Sequence, residues 1–121
     1  MNKVRILVVD DEPGFTRLIK LALPEYEIHE ENNPTRALEA ARHFHPHLIL
    51  LDVVMPELDG GDLAARLRAE PMLARVPIVF LTAIVSPKEC PTEQVIGGYP
   101  FVAKPVSREA LIQCIEKVLG T

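Results

Sequence analysis

Four unbroken apolar runs punctuate the chain: Ile6-Leu7-Val8-Val9, Leu48-Ile49-Leu50-Leu51, Ile78-Val79-Phe80-Leu81 and Phe101-Val102-Ala103. Short runs rich in Val, Ile and Leu, without alternation, predict strands buried on both faces, as in a parallel sheet. A fifth segment, Tyr26-Glu27-Ile28-His29-Glu30, alternates apolar and polar residues and predicts a half-exposed edge strand. The four buried runs end in polar residues: Asp10-Asp11, Asp52, Thr82 and Lys104-Pro105. Strands of an open parallel sheet bring their carboxyl ends to one edge, where ligands bind. Three carboxylates, a hydroxyl and an ammonium are therefore expected at one crevice.

Helical spacing fills the intervals. Phe15, Leu18, Ile19, Ala22 and Leu23 are expected on one face of a helix that Pro24 ends. Asn33-Pro34 supplies a cap and a first-turn proline for a second helix, which turns Ala37, Leu38, Ala41 and Phe44 inward and stops near Pro46. After the loop from Met55 to Gly60, a third helix directs Leu63, Ala64 and Leu67 inward, and Pro77 opens the next strand. Ser107 is the expected cap of the last helix, with Leu111, Ile112, Ile115, Val118 and Leu119 at helical intervals. The segment from Ile84 to Gly98 breaks the rhythm. Its Pro87, Pro91, Gly97 and Gly98 argue against a full-length fourth helix, because an interior proline costs about 3 kcal/mol. A loop through Cys90 and a short helix from about Thr92 to Ile96 are predicted instead. Five strands alternating with helices make an α/β doubly wound sheet with helices on both faces.

Composition narrows the function. A chain of 121 residues, 48% hydrophobic and 25% charged, fits one compact domain, residues 1–121. A net charge of -4 with scattered basic residues disfavours nucleic-acid binding, which needs clustered Lys and Arg. No apolar stretch approaches a membrane span, and Met1-Asn2-Lys3-Val4-Arg5 leads directly into a strand, so no signal peptide is expected. Cys90 and Cys114 lack metal-ligand spacing and are expected to be free thiols in a reducing cytoplasm. His43, His45 and His47 do not follow a usual zinc pattern, and loop histidines are the ordinary reading.

Asp10, Asp11 and Asp52 carry the chemistry. A single acid at a strand end simply begins a loop, but three beside buried strands repel one another unless a cation sits between them. Hard oxygen ligands with room for water suit Mg²⁺. An Asp carboxylate can also attack phosphorus to give an aspartyl phosphate. The cation would neutralise charge on the transferring group, Lys104 could contact it from the other side, and Thr82 could donate a hydrogen bond to a phosphoryl oxygen.

Over nearly its whole length the chain resembles the response-regulator receiver domain of two-component signalling. The residues that carry the resemblance are Asp10-Asp11, Asp52 within the stretch Asp52-Val53-Val54-Met55-Pro56-Glu57-Leu58-Asp59-Gly60, Thr82-Ala83 and Lys104-Pro105, together with the intervals between them. The resemblance implies a flavodoxin-like (βα)5 fold, with a five-stranded parallel sheet in the order 2-1-3-4-5 and a short or irregular fourth helix. It implies that Asp52 is the phosphoacceptor, served by a histidine kinase or a histidine phosphotransfer protein. Asp11 would bind Mg²⁺ directly, Asp10 mainly through water, and the backbone carbonyl of Val54 would add a ligand. Thr82 and Lys104 would hold the phosphoryl oxygens beside the small Ala83. Phe101 stands where the family has an aromatic whose rotamer follows phosphorylation, although an ordinary strand aromatic is an equal reading. Lys104-Pro105 would be a cis peptide. Gly97-Gly98-Tyr99-Pro100 departs from the family's frequent Gly-Ala-Asp-Asp, on the face that usually carries output.

The implied protein is a cytoplasmic switch that catalyses only its own phosphorylation and dephosphorylation. It would bind no nucleic acid or membrane through this domain, and its output partner is unspecified. It is either a single-domain regulator or a receiver from a larger protein. One alternative is a Mg²⁺-dependent phosphatase with an Asp nucleophile, which in the haloacid-dehalogenase group needs a second Asp where this chain has Val54. Another is a receiver-fold binding module that takes no phosphate, which loss of the acids or the lysine would favour; all are present. Val54 and Ile84 are apolar at positions that could otherwise orient a hydrolytic water, so a long-lived phosphorylated form is expected.

Overall fold

The computed structural model describes residues 3–52, 60–82, 95–96, 99–103 and 107–120. Its strands are β1 (Arg5–Val9), β2 (Glu27–Glu31), β3 (Leu48–Asp52), β4 (Ile78–Thr82), β5 (Val95–Ile96) and β6 (Tyr99–Ala103). Its helices are α1 (Pro13–Ala22), α2 (Ala37–Phe44), α3 (Gly60–Ala69) and α4 (Arg108–Leu119). Among the described residues the sheet runs β2-β1-β3-β4-β6-β5, and every pair except β5·β6 is parallel. The parallel strands thus follow the expected 2-1-3-4-5 order, β6 being the fifth.

Period-two alternation divides the buried strands between two layers. Leu7, Val9, Ile49, Leu51, Ile78 and Phe80 pack with Ala37 and Ala41 of α2 and with Leu63, Ala64 and Leu67 of α3. Ile6, Val8, Leu48, Leu50, Val79 and Leu81 pack with Ile19 of α1, with Leu23, and with Leu111 and Ile115 of α4. Strands covered on both sides need apolar residues at every position, which is why β1 and β3 read as unbroken runs. At the edge, β2 buries only Ile28 fully.

The caps behave as their residue types require. The Asn33 side chain accepts from the Thr35 N–H at 3.0 Å, opening a short 3-10 turn (Pro34–Arg36) that runs into α2. Ser107 Oγ accepts from the Ala110 N–H at 3.1 Å. At the other end of α2, His45 adopts the left-handed conformation (φ 55°) that a glycine usually supplies.

Two expectations are corrected. Leu18, assigned to the inner face of α1, is 61% exposed, and Leu21 beside it is 71% exposed, whereas Thr16 is completely buried. Consecutive helical residues lie about 100° apart, so burying Ile19 turns Leu18 away. The helix expected to reach Ile96 does not: Val95–Ile96 is a strand, with Ile96 paired to Tyr99 and Val95 to Pro100. In sequence Gly97-Gly98 separates the paired residues, a composition that two-residue hairpins favour. The other residues of the expected loop and short helix, 84–94, lie outside the described residues.

Candidate functional site: an acidic edge at the strand ends

The register brings the strand ends together. Val9 pairs with Leu51, so one further step along β1 sets Asp10 alongside Asp52. Asp52 itself pairs with Leu81, so Thr82 is one step beyond it, and Thr82 pairs with Ala103 at the end of β6. Neighbouring strands lie about 4.8 Å apart. Asp10, Asp52, Thr82 and Ala103 therefore end four adjacent strands along one edge. Lys104, Val54 and Ala83, the other expected site residues, lie outside the described residues; Phe101 belongs to β6 and pairs with Phe80.

Asp10 and Asp52 are buried, at 0% and 4% exposure, and Asp11 is half-buried. Burying a carboxylate is costly unless it is hydrogen-bonded or neutralised. Asp10 Oδ1 accepts from the Glu12 N–H at 3.0 Å, closing an Asx turn. The backbone of Asp10 is also held on both sides, its N–H donating to the Glu31 carbonyl at 3.2 Å and its carbonyl accepting from Asn32 Nδ2 at 2.8 Å. Helix α1 begins immediately afterwards at Pro13, and its amino-terminal partial positive charge faces the acids.

Carboxylate oxygens of Asp10, Asp11 and Glu12 fall within 4.8 Å of one another. Glu12 joins this group beyond the acids that the strand ends predict. Its signal was its place in the run Asp10-Asp11-Glu12, though Glu12 is exposed and an acid there is also an ordinary way to begin a helix. A set of hard oxygen donors, one buried and the others open to water, fits a cation that keeps part of its hydration, as Mg²⁺ does.

Other candidate chemistry is spent elsewhere. His47 Nδ1 accepts from the Arg5 N–H at 2.9 Å, His45 caps α2, and His43 lies 3.8 Å from Glu39. Burial pushes the Cys114 thiol up, with Lys117 partly offsetting it, which disfavours the nucleophilic thiolate. Cys90 lies outside the described residues.

An open parallel α/β sheet with buried acids at its carboxyl edge defines the class, and comparison with known proteins specifies it. The response regulator receiver domain pattern matches residues 6–116, and the chain belongs to that family, the switch component of two-component signal transduction. The chain is 39% identical over 120 residues to the "Probable transcriptional regulator ycf27" of Pyropia yezoensis, covering 98% of this chain and 48% of that protein. It is 30% identical over 120 residues to the transcriptional regulatory protein TrcR of Mycobacterium tuberculosis, covering 98% and 46%. The chain spans about half the length of the curated relatives it matches. Among solved structures, a response regulator from Desulfuromonas acetoxidans superposes with a TM-score of 0.80 at 30% identity, covering 96% of each chain. The chemotaxis protein CheY4 of Vibrio cholerae shares the fold, with a TM-score of 0.82 at 24% identity over 96% of this chain and 98% of that one.

Proposed function

We propose that residues 1–121 form one receiver domain in which Asp52 is the phosphoacceptor. The observation that carries the proposal is the register, by which the buried carboxylates of Asp10 and Asp52 end neighbouring strands with Thr82 on the next. The donor is a phosphohistidine of a histidine kinase or a histidine phosphotransfer protein. A carboxylate oxygen of Asp52 attacks phosphorus, the P–N bond breaks, and the imidazole leaves with its electron pair and takes up a proton.

Asp11 would hold Mg²⁺ directly, Asp10 mainly through water, and Asp52 and the Val54 carbonyl would complete the protein's share. Once bound, the cation neutralises charge on the phosphoryl oxygens. Thr82 donates its hydroxyl to one of those oxygens, Lys104 pairs with another, and the small Ala83 leaves them space. Phe101 follows the occupied state. Glu12 adds negative charge to the cation's surroundings from the N-cap position of α1.

The domain is a cytoplasmic switch and turns over no external substrate. Among the described residues no helix is long and apolar enough to cross a membrane. Its output passes to a partner or a further domain, as the transcriptional regulators among its relatives suggest. Nucleic acid is not bound by this domain, whose net charge is -4.

Incubation with acetyl phosphate and Mg²⁺, followed by intact mass, tests the proposal. One added phosphoryl group, dependent on Mg²⁺, is expected. Catalytic release of phosphate from many small esters would indicate a phosphatase, and no uptake at all would indicate a binding module.

A further inference from the structure

Behind the acidic turn runs a line of polar side chains joining α1 to the end of β2. Thr16 lies at its centre and is completely buried. Arg17 Nε donates to Glu30 Oε2 at 3.2 Å, and Thr16 Oγ1 donates to Glu30 Oε1 at 2.9 Å. Asn32 Nδ2 donates to Thr16 Oγ1 at 2.9 Å and to the Asp10 carbonyl at 2.8 Å.

The line has a direction. An ionised carboxylate only accepts, so Glu30, held beside Arg17, draws the one proton of the Thr16 hydroxyl; the Pro13 carbonyl at 3.1 Å is a weaker competitor. The Thr16 oxygen then faces Asn32 with a lone pair. Asn32 meets two acceptors, which fixes its amide with nitrogen inward. Its second proton reaches the carbonyl of Asp10, which belongs to the peptide bond joining Asp10 to Asp11. With the Asp10 N–H already donating to Glu31, the backbone that carries both acids is tied at two points to the end of β2.

We propose that Thr16 and Asn32 are positioning residues for the cation site: they set the orientation of the Asp10–Asp11 peptide, and through it Mg²⁺ affinity, without touching the ion. The inference rests on the Mg²⁺ reading given above. Groups that orient metal ligands at one remove typically change affinity by about 10–100-fold when deleted.

Four single variants of the full chain test it by Mg²⁺ titration. Thr16→Val keeps the shape and removes the hydroxyl, and Thr16→Ser keeps the hydroxyl. Asn32→Ala removes the donor at a half-buried strand end, where folding is least at stake. Ile19→Val loosens the packing of the same helix away from the line. The Mg²⁺ dissociation constant should rise about tenfold in Thr16→Val and Asn32→Ala. It should stay near the parent value in Thr16→Ser and Ile19→Val. In the metal-free protein, the carbonyl ¹³C resonance of Asp10 should shift in Asn32→Ala and not in Ile19→Val. Parent-like affinity in both Thr16→Val and Asn32→Ala would overturn the inference alone, as would equal weakening by Ile19→Val. A parent protein that takes up no Mg²⁺ would overturn this inference together with the reading beneath it.

Discussion

The two ends of the central strands treat polar groups in opposite ways. At the amino end, the Arg5 N–H donates to His47 Nδ1, the His47 N–H donates to the Arg5 carbonyl at 2.7 Å, and Arg5 Nε donates to the His45 carbonyl at 2.9 Å. Donors there meet acceptors, and the group is closed. At the carboxyl end, Asp10, Asp11 and Glu12 gather like charges within 4.8 Å, with Asp52 ending the neighbouring strand. A backbone hydrogen bond orients Asp10, and a bound cation would offset repulsion among the three acids. The difference separates polar residues that complete a fold from those open to the proposed cation. At the amino end the Nδ1 lone pair of His47 is already engaged.

The comparison is sharpened most by adding the ligand. At Mg²⁺ about 100 times its dissociation constant, the parent should gain about 2.7 kcal/mol of unfolding free energy. Asp11→Ala, which deletes the proposed direct ligand, should lose most of that gain. Urea unfolding with and without Mg²⁺ measures both, and an equal gain in Asp11→Ala would remove Asp11 from the site.

Next in size is the effect of relieving the crowding. Asp10→Asn keeps an oxygen that can accept from the Glu12 N–H while removing one charge. In metal-free buffer it should raise stability by about 0.5–2 kcal/mol, the range common for stabilising substitutions. Its Mg²⁺-dependent gain should shrink at the same time. A variant less stable than the parent without metal would mean that the acids are structural.

The amino end should respond more modestly. His45→Gly relieves a left-handed conformation that costs a residue with a Cβ about 1–2 kcal/mol, less the entropy lost by glycine. A net gain of about 1 kcal/mol is expected, with phosphorylation unchanged. Reduced phosphoryl uptake would break the separation between the two ends.

How much of this was legible in the sequence depended on the range of the interactions. The strands β1, β3 and β4 were legible because burial on both faces leaves no polar position in the run. The acids at their ends were legible because each follows such a run directly. Leu18 was misplaced for a physical reason. Apolar spacing alone made it equivalent to Phe15 and Ile19, but the face of α1 is set partly by Thr16, whose partners Glu30 and Asn32 lie 14 and 16 residues away. Period analysis has no access to such pairs. The short strand Val95–Ile96 is hidden differently: Pro91 and the glycines have the composition of helix breakers, while two β-branched residues before Gly97-Gly98 equally have that of a hairpin.

Asp52 is the proposed recipient of the phosphoryl group. Phosphoryl uptake from acetyl phosphate, followed by intact mass in the parent and in Asp52→Asn side by side, tests it most directly. One hydroxylamine-labile phosphoryl group is expected on the parent, only with Mg²⁺ present, and none on Asp52→Asn over the same time. Uptake by Asp52→Asn of one hydroxylamine-labile group at the parent's rate would contradict it.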